Sequence, residues 1–321
     1  MSADVIEAAI AQARRLAAAS DRDLQPATDR YAQQLIAVCR DWRLTAYRWF
    51  DGGAGTPPVA VTGPDGIPGV LKIAAPGELD TQARVMRAAD GRGYARVLAW
   101  DAERGAMLTE LLGPTLGSKA LGADAPTLGE QLPVLAPLLQ DAWTVPLEAG
   151  SPFVGKAAGL LQILADLGPR YGNDLGEAIR WATEYARELA DTERPEVVCH
   201  GDPHAGNVLR RGSGWALIDP DGFVGERAYD LGVVLRDACD EFAAAEAAGA
   251  VGVGVGVGAG AGEALLREHC RRLAGLCDVD AERVWRWASV ERVTTALYLR
   301  WHGAVERAAP FAATATVLAR G

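Results

Sequence analysis

The residues best suited to chemistry lie in one stretch, Val197–Asp230, VVCHGDPHAGNVLRRGSGWALIDPDGFVGERAYD. Within it His200-Gly201-Asp202 is followed by Asn207, an Asp-x-x-x-x-Asn pair, and then by Asp219. In-line transfer of a phosphoryl group needs such a set. A carboxylate orients an acceptor hydroxyl and takes its proton, and hard oxygen ligands hold magnesium across the phosphates. Val208–Arg211 and Trp215–Ile218 flank Gly212-Ser213-Gly214, read as a three-residue hairpin loop with glycine at a left-handed position. Pairing symmetric about Ser213 predicts Asn207 directly opposite Asp219, about 5 Å across the hairpin and able to share metal ions.

The elements that must carry these residues follow from periodicity. Residues 1–43 read as alanine-rich helices, with Ile6, Ala9, Ile10 and Ala13 at helical spacing. Leu44–Phe50, Val59–Thr62 and Gly69–Ile73 read as strands, the last two closed by Gly63-Pro64-Asp65-Gly66. Leu79–Ala89 reads as a helix, and Ala95–Trp100 and Ala106–Leu111 as two further strands. This is an α+β pattern rather than a strict βαβ alternation. Beyond Gly113-Pro114-Thr115 the chain turns helical, with Gly129–Trp143, Phe153–Leu167 and Leu175–Ala190, and later Ala264–Leu276 and Ala281–Val305. Two domains are expected, 1–112 and 113–321. The Gly/Val/Ala run Gly249–Gly262 reads as a mobile connector, since it lacks the Lys-Ser/Thr ending of a phosphate loop.

Composition narrows the partners. The chain of 321 residues has a net charge of −10, which disfavours nucleic acid and suits a cationic small molecule. No apolar run reaches the length of a membrane span, and the N-terminus lacks the layout of a secretory signal. Five scattered cysteines without a CxxC pair suggest reduced, buried thiols. A cytoplasmic protein, monomer or homodimer, with no membrane partner is expected.

The motif His200-Gly201-Asp202-x-His204-x-x-Asn207, with Ile218-Asp219-Pro220-Asp221-Gly222 and Tyr229-Asp230-Leu231-Gly232, resembles the aminoglycoside phosphotransferases, in the branch that holds streptomycin and hydroxyurea kinases and similar glucosamine kinases. That resemblance implies a protein-kinase-like, two-lobe α+β fold with a small sheet lobe and a mainly helical lobe, binding ATP and Mg2+ between them. It implies Asp202 as the catalytic base, Asn207 and Asp219 as metal ligands, and Asp230 as a brace beneath the loop. It also implies Lys72 on the α/β-phosphates and the backbone of Glu110–Leu112 against adenine. The glutamate that normally partners such a lysine is replaced by Gln82, with Glu78 one turn earlier as a substitute.

Other positions keep two readings. His204 is a metal ligand or a structural hydrogen-bonding group. Asp221 binds a second magnesium or caps its turn. The glycine loop at Gly52–Gly55 covers phosphates or merely joins strands. Asp237, Asp240 and Glu241, taken as following on one helix, either meet ammonium groups of an acceptor or form a solvated face. Trp301, with Trp285, Trp287, Tyr298 and His302, stacks on a sugar ring or packs in the core. The expected reaction is phosphorylation of an amino-sugar hydroxyl, glucosamine first, with a streptomycin-type or hydroxyurea kinase, or a non-catalytic nucleotide-binding relative, as alternatives.

Overall fold

The computed structural model describes residues 3–18, 25–50, 56–119, 125–251 and 260–319. The Gly52–Gly55 loop and the centre of the Gly/Val run lie outside them. Two units emerge, Met1–Gly113 and Pro114–Gly321.

In the first unit, α1 (Ala3–Ala18) and α2 (Gln25–Asp41) precede β1 (Thr45–Trp49), β2 (Val59–Thr62) and β3 (Pro68–Ile73). Helix α3 (Asp80–Ala89) comes before β4 (Val97–Asp101) and β5 (Ala106–Glu110). The strands form one antiparallel sheet in the order β1-β2-β3-β5-β4. Ile6, Ala9, Ile10 and Ala13 bury one stripe of α1 together with Tyr31, Leu35 and Val38 of α2 and Val59, Val61, Leu71 and Ile73 of the sheet. Because strand side chains alternate, Lys72 lies on the face opposite that core. The β2–β3 turn is closed by Gly63 N–H donating to Ile67 O at 3.0 Å, while the Asp65 carboxylate accepts from Ile67 N at 3.0 Å.

The second unit contains α4 (Leu128–Ala142), α5 (Lys156–Tyr171), α6 (Gly176–Thr192), β6 (Val197–Val198), β7 (Val208–Arg211), β8 (Gly214–Leu217) and β9 (Val224–Gly225). They are followed by α7 (Arg227–Arg236), α8 (Cys239–Val251), α9 (Ala261–Cys277), α10 (Ala281–Trp301) and α11 (Val305–Leu318). Strands β6 and β9 pair, and β7 and β8 form a hairpin. Helix α10 is the central post, packed on α5, α6, α7, α9 and α11, with Val284, Val290, Val293 and Leu297 buried.

Three expectations change here. The helix read as Ala281–Val305 ends early, because Gly303 takes φ 75 and a further helix, α11, begins at Val305. The ends of the Gly/Val run are helical, belonging to α8 and α9. The acidic trio also does not share one helix: Asp237 caps the end of α7, and Asp240 and Glu241 open α8. No glycine or proline marks that break. All five cysteines are free and buried. Among the described residues no helix is long and apolar enough to cross a membrane.

Candidate active site

The loop that carries Asp202 is anchored from below. Asp230, fully buried in the first turns of α7, accepts hydrogen bonds from Trp143 Nε1 (2.8 Å), His200 N (2.8 Å) and Gly201 N (2.8 Å). Burial pushes its carboxyl up to about 6 against the pull of those three donors. Gly201 has φ 93, and a Cβ there would stand 2.6 Å from the Asp221 carboxylate, so only glycine lets the chain pass.

His200 stitches this loop to the strand hairpin. Its Nδ1 accepts from Asp202 N (3.1 Å), its Nε2 meets Ile218 O (2.8 Å), and its carbonyl accepts from Asp221 N (2.7 Å). With Nδ1 accepting, the proton sits on Nε2, and the ring donates to Ile218 O. Burial drives its pKa down to about 4, so the ring is neutral at physiological pH.

The hairpin register differs by one residue from the expected pairing. Val208 pairs with Leu217 and Arg211 with Gly214, leaving the two-residue loop Gly212-Ser213. Gly212 takes φ 55, the positive value that a type II′ turn demands at its first central position. Asn207 therefore meets Ile218, whose N–H donates to Asn207 O at 2.9 Å, rather than Asp219. A one-residue slip would send Asp219 to the wrong face of a regular strand. Instead the strand ends at Leu217, and Asp219 adopts φ 61, a left-handed conformation that aspartate tolerates better than most residues. Its charge, like that of Asp202, acts on the His200 ring.

Asp202 itself is partly open, with 39% of its side chain exposed. One oxygen accepts from Arg236 at 2.9 Å, and the other lies 3.4 Å from His204 Nε2. His204 Nδ1 is taken by Gly206 N (3.0 Å), which supports the structural reading of this histidine. Arg236 is a charged hub: it also binds Asp237 at 2.7 Å and lies 3.8 Å from Glu291. Burial pulls its pKa down, but the three carboxylates more than offset this and hold it above the ordinary value. Glu291 in turn accepts from Tyr229 Oη at 2.6 Å. Asp221 is accessible, yet desolvation raises its pKa; the charges of Asp202 and Glu291 add to that, while Lys156 and Arg236 oppose it. The Lys156 ammonium rests over Phe223 (4.9 Å) and Tyr229 (5.1 Å).

Arg236, Glu291, Lys156 and Trp143 were not singled out from the sequence for this site. An arginine inside a helical run carries no signal of its partners, and only the Asp-x-x-x-x-Asn spacing could have drawn attention to what surrounds it. Other candidates have different settings. Glu241 accepts from Leu128 N at the first turn of α4, and its second oxygen lies 3.3 Å from His269. Helix N-termini offer such unsatisfied N–H groups. Asp240 is exposed. Trp301 is 44% exposed at the end of α10. Lys72, Glu110 and Leu112 belong to the first unit. Lys72 pairs across the sheet with Met107, and Glu110 accepts from Arg96 N at 2.7 Å. Gln82 is buried on α3, and Glu78 accepts from Ala75 N at 3.0 Å.

The donor set around Asn207 suits magnesium. Asn207 Nδ2 donates to Asp202 O at 2.9 Å, which orients the amide and leaves its oxygen to serve as a ligand. An amide oxygen and the Asp219 carboxylate are hard donors, and magnesium commonly takes only one or two protein ligands beside water and phosphate oxygens. Among the described residues no group of three or more His, Cys, Asp or Glu could hold a metal ion.

Comparison with known proteins adds a lineage to this geometry. The family model described as aminoglycoside/hydroxyurea antibiotic resistance kinase matches residues 41–303. Streptomycin 6-kinase of Streptomyces griseus is 33% identical over 208 residues, covering 61% of this chain and 64% of that protein. Hydroxyurea phosphotransferase of Kitasatospora aureofaciens is 33% identical over 172 residues, covering 52% and 49%. The chain thus spans less than two thirds of the length of these relatives. A solved glucosamine kinase superposes with a TM-score of 0.51 at 17% identity, over 90% of this chain and 79% of that one, a likeness of fold.

Proposed function

Since the chain belongs to the aminoglycoside/hydroxyurea antibiotic resistance kinase family, we propose that it transfers the γ-phosphoryl group of ATP to a hydroxyl of an amino-sugar-bearing acceptor. The observation that carries this reading is the loop clamped by Asp230, which presents Asp202 at an open surface beside the oriented Asn207 amide. Asp202 accepts the acceptor proton while Arg236 and His204 hold its two oxygens in place. Asn207 and Asp219 would hold magnesium, which would supply charge compensation to the transferring phosphoryl group. Lys72 meets the α/β-phosphates, and the backbone of Glu110–Leu112 meets adenine.

Within the acceptor class, a streptomycin-type molecule moves ahead of free glucosamine. The relatives at 33% identity act, by name, on streptomycin and hydroxyurea, whereas the glucosamine kinase likeness is one of fold. On this reading the exposed carboxylates Asp221 and Asp237, the latter also bound by Arg236 at 2.7 Å, would meet a cationic nitrogen of the acceptor. The test is ADP release with ATP and Mg2+ across streptomycin, other aminoglycosides, glucosamine and hydroxyurea, in wild type and in Lys72→Ala. Turnover with an amino-sugar acceptor, weakened for ATP in the variant, is the expected result. ATP binding without turnover on any acceptor would make the protein a non-catalytic relative.

A further inference from the structure

Beyond Glu291, which meets Arg236 and Tyr229, helix α10 carries a stretch that the phosphoryl-transfer centre does not use. Trp287, Glu291, Thr295, Tyr298 and His302 recur at helical spacing and share one face. Neighbouring elements occupy the other faces. Leu297 is 3.2 Å from where a Cβ would stand on Gly172 at the end of α5, Ala288 N abuts Gly232 of α7, and Arg292 donates to Leu235 O. The shared face itself is covered by α7 at Trp287 and Glu291 and opens beyond them.

Helix α7 runs beside α10 and fixes its direction relative to the site. At the start of α7, Glu226 binds Arg283 and Trp287; at its end, Arg236 lies by Glu291 and holds Asp202. Following α10 therefore leads from the buried base of the loop up to the level of Asp202. The helix then continues. Tyr298 lies seven residues past Glu291, about 10 Å further along the axis.

Exposure along the shared face opens in the same direction. Glu291 is 6% exposed, Thr295 is intermediate, and Tyr298 is 48% exposed. Tyr298, Trp301 and His302 pack on one another, with ring centroids 5.8, 4.4 and 4.5 Å apart. Arg300 pins this end by binding Asp174 with both terminal nitrogens and donating to Tyr171 O at 2.7 Å. Three rings already fixed against each other lose little freedom when a further ring stacks on them.

We infer that Tyr298, backed by Trp301 and His302, is a stacking subsite for a part of the acceptor remote from the transferred hydroxyl. The acceptor class is then a molecule of two or more linked rings. A single ring with its hydroxyl at Asp202 is shorter than the ~10 Å of helix between Glu291 and Tyr298, so a linked second or third ring would be needed to reach along the α10 face. This rests on the acceptor reading above and narrows it.

The test compares acceptors that differ in ring number: streptidine with streptomycin, and glucosamine with its β-1,4-linked dimer and trimer. Dissociation constants are measured by calorimetry without ATP, and kcat/KM by ADP release, for wild type, Tyr298→Ala, Tyr298→Phe and Trp301→Ala. In wild type the multi-ring member of a pair is expected to bind more tightly. Tyr298→Ala should cut that advantage about three- to tenfold, the scale of an aromatic stacking contact, with the change falling on KM. Tyr298→Phe keeps the ring and should retain the advantage. Equal affinity for both members of each pair, or an advantage untouched by Tyr298→Ala and Trp301→Ala, would overturn the subsite. So would loss of self-association in those variants, read by light scattering, with binding unmoved; the face would then join two copies of the chain. Binding is read without nucleotide, so a ring-number preference without turnover would sink the kinase reading and leave the subsite standing. No binding by any member would remove the subsite for this class.

Discussion

The floor and the rim of the catalytic loop use the same residue types in opposite ways. On the floor, Asp230 is fully buried and binds two backbone N–H groups and the Trp143 indole, while His200 bonds through its ring, its N–H and its carbonyl. On the rim, Asp202 is partly open and, among the described residues, its carboxylate meets the side chains of Arg236 and His204. A carboxylate that holds backbone fixes the shape of the chain. One that meets side chains at an open surface can exchange a partner for a substrate without unfolding anything. On the proposed function, the contrast would separate carboxylates that position the site from one that acts in it.

The largest effect belongs to the rim. Asp202→Asn should lower kcat by about 10²–10⁴, the range for a lost general base, with ATP affinity and thermal midpoint nearly unchanged. Retained turnover would take Asp202 out of the base role.

Asp230→Asn should damage both sides. The amide cannot accept from all three donors, and each lost bond to a charged group costs about 1.5–3 kcal/mol, visible as a lower melting temperature. In wild type the same residue gives a pH signature of opposite signs. Its folded pKa of about 6 lies above the ordinary 3.8, so between those values the folded state holds a proton that the unfolded state has released. This group's contribution to stability therefore falls as pH rises from about 4 to 6 and is flat above. The grip on the loop needs the carboxylate and weakens as pH falls through 6. A kcat profile should accordingly drop below about pH 6 without a matching loss of stability from this group. His200, neutral down to about 4, does not produce that limb. A limb that persists in Asp230→Asn would assign it elsewhere.

Asn207→Ala should raise the magnesium concentration for half-maximal rate by about ten- to hundredfold, the scale for groups that position a metal. An unchanged requirement would leave Asp219 as the sufficient ligand. The smallest effect is expected at Glu241, which extends the comparison to α8 as another carboxylate that holds backbone. Glu241→Ala, which removes the acceptor for Leu128 N, should cost about 0.5–1.5 kcal/mol, with acceptor KM unmoved. A raised KM with unchanged stability would return Glu241 to the acceptor site.

Much of the scaffold was legible because local rules set it. The stripe Ile6, Ala9, Ile10, Ala13 shows in its spacing alone, although it packs on α2 and the sheet, and the Pro-Asp-Gly turn between β2 and β3 and the β7–β8 hairpin rest on contacts within a few residues. Even there, one detail escaped. Gly212-Ser213-Gly214 is compatible with a two- or a three-residue loop, and φ 55 at Gly212 decides for the shorter. The break between α7 and α8 likewise carries no glycine or proline.

The chain's residue order alone determined the 202–207 spacing and the carboxylate at 219, the groups that the proposed phosphoryl transfer would use. Tertiary structure decided the long-range partners: the arginine that holds Asp202, the α4 terminus that engages Glu241, and the α10 glutamate that accepts from Tyr229. Those partners lie 34, 113 and 62 residues away along the chain, counting Tyr229 to Glu291 for the last. Short-range spacing fixes donors and turns, but pairing over such separations is set by how helices pack, which no local pattern encodes.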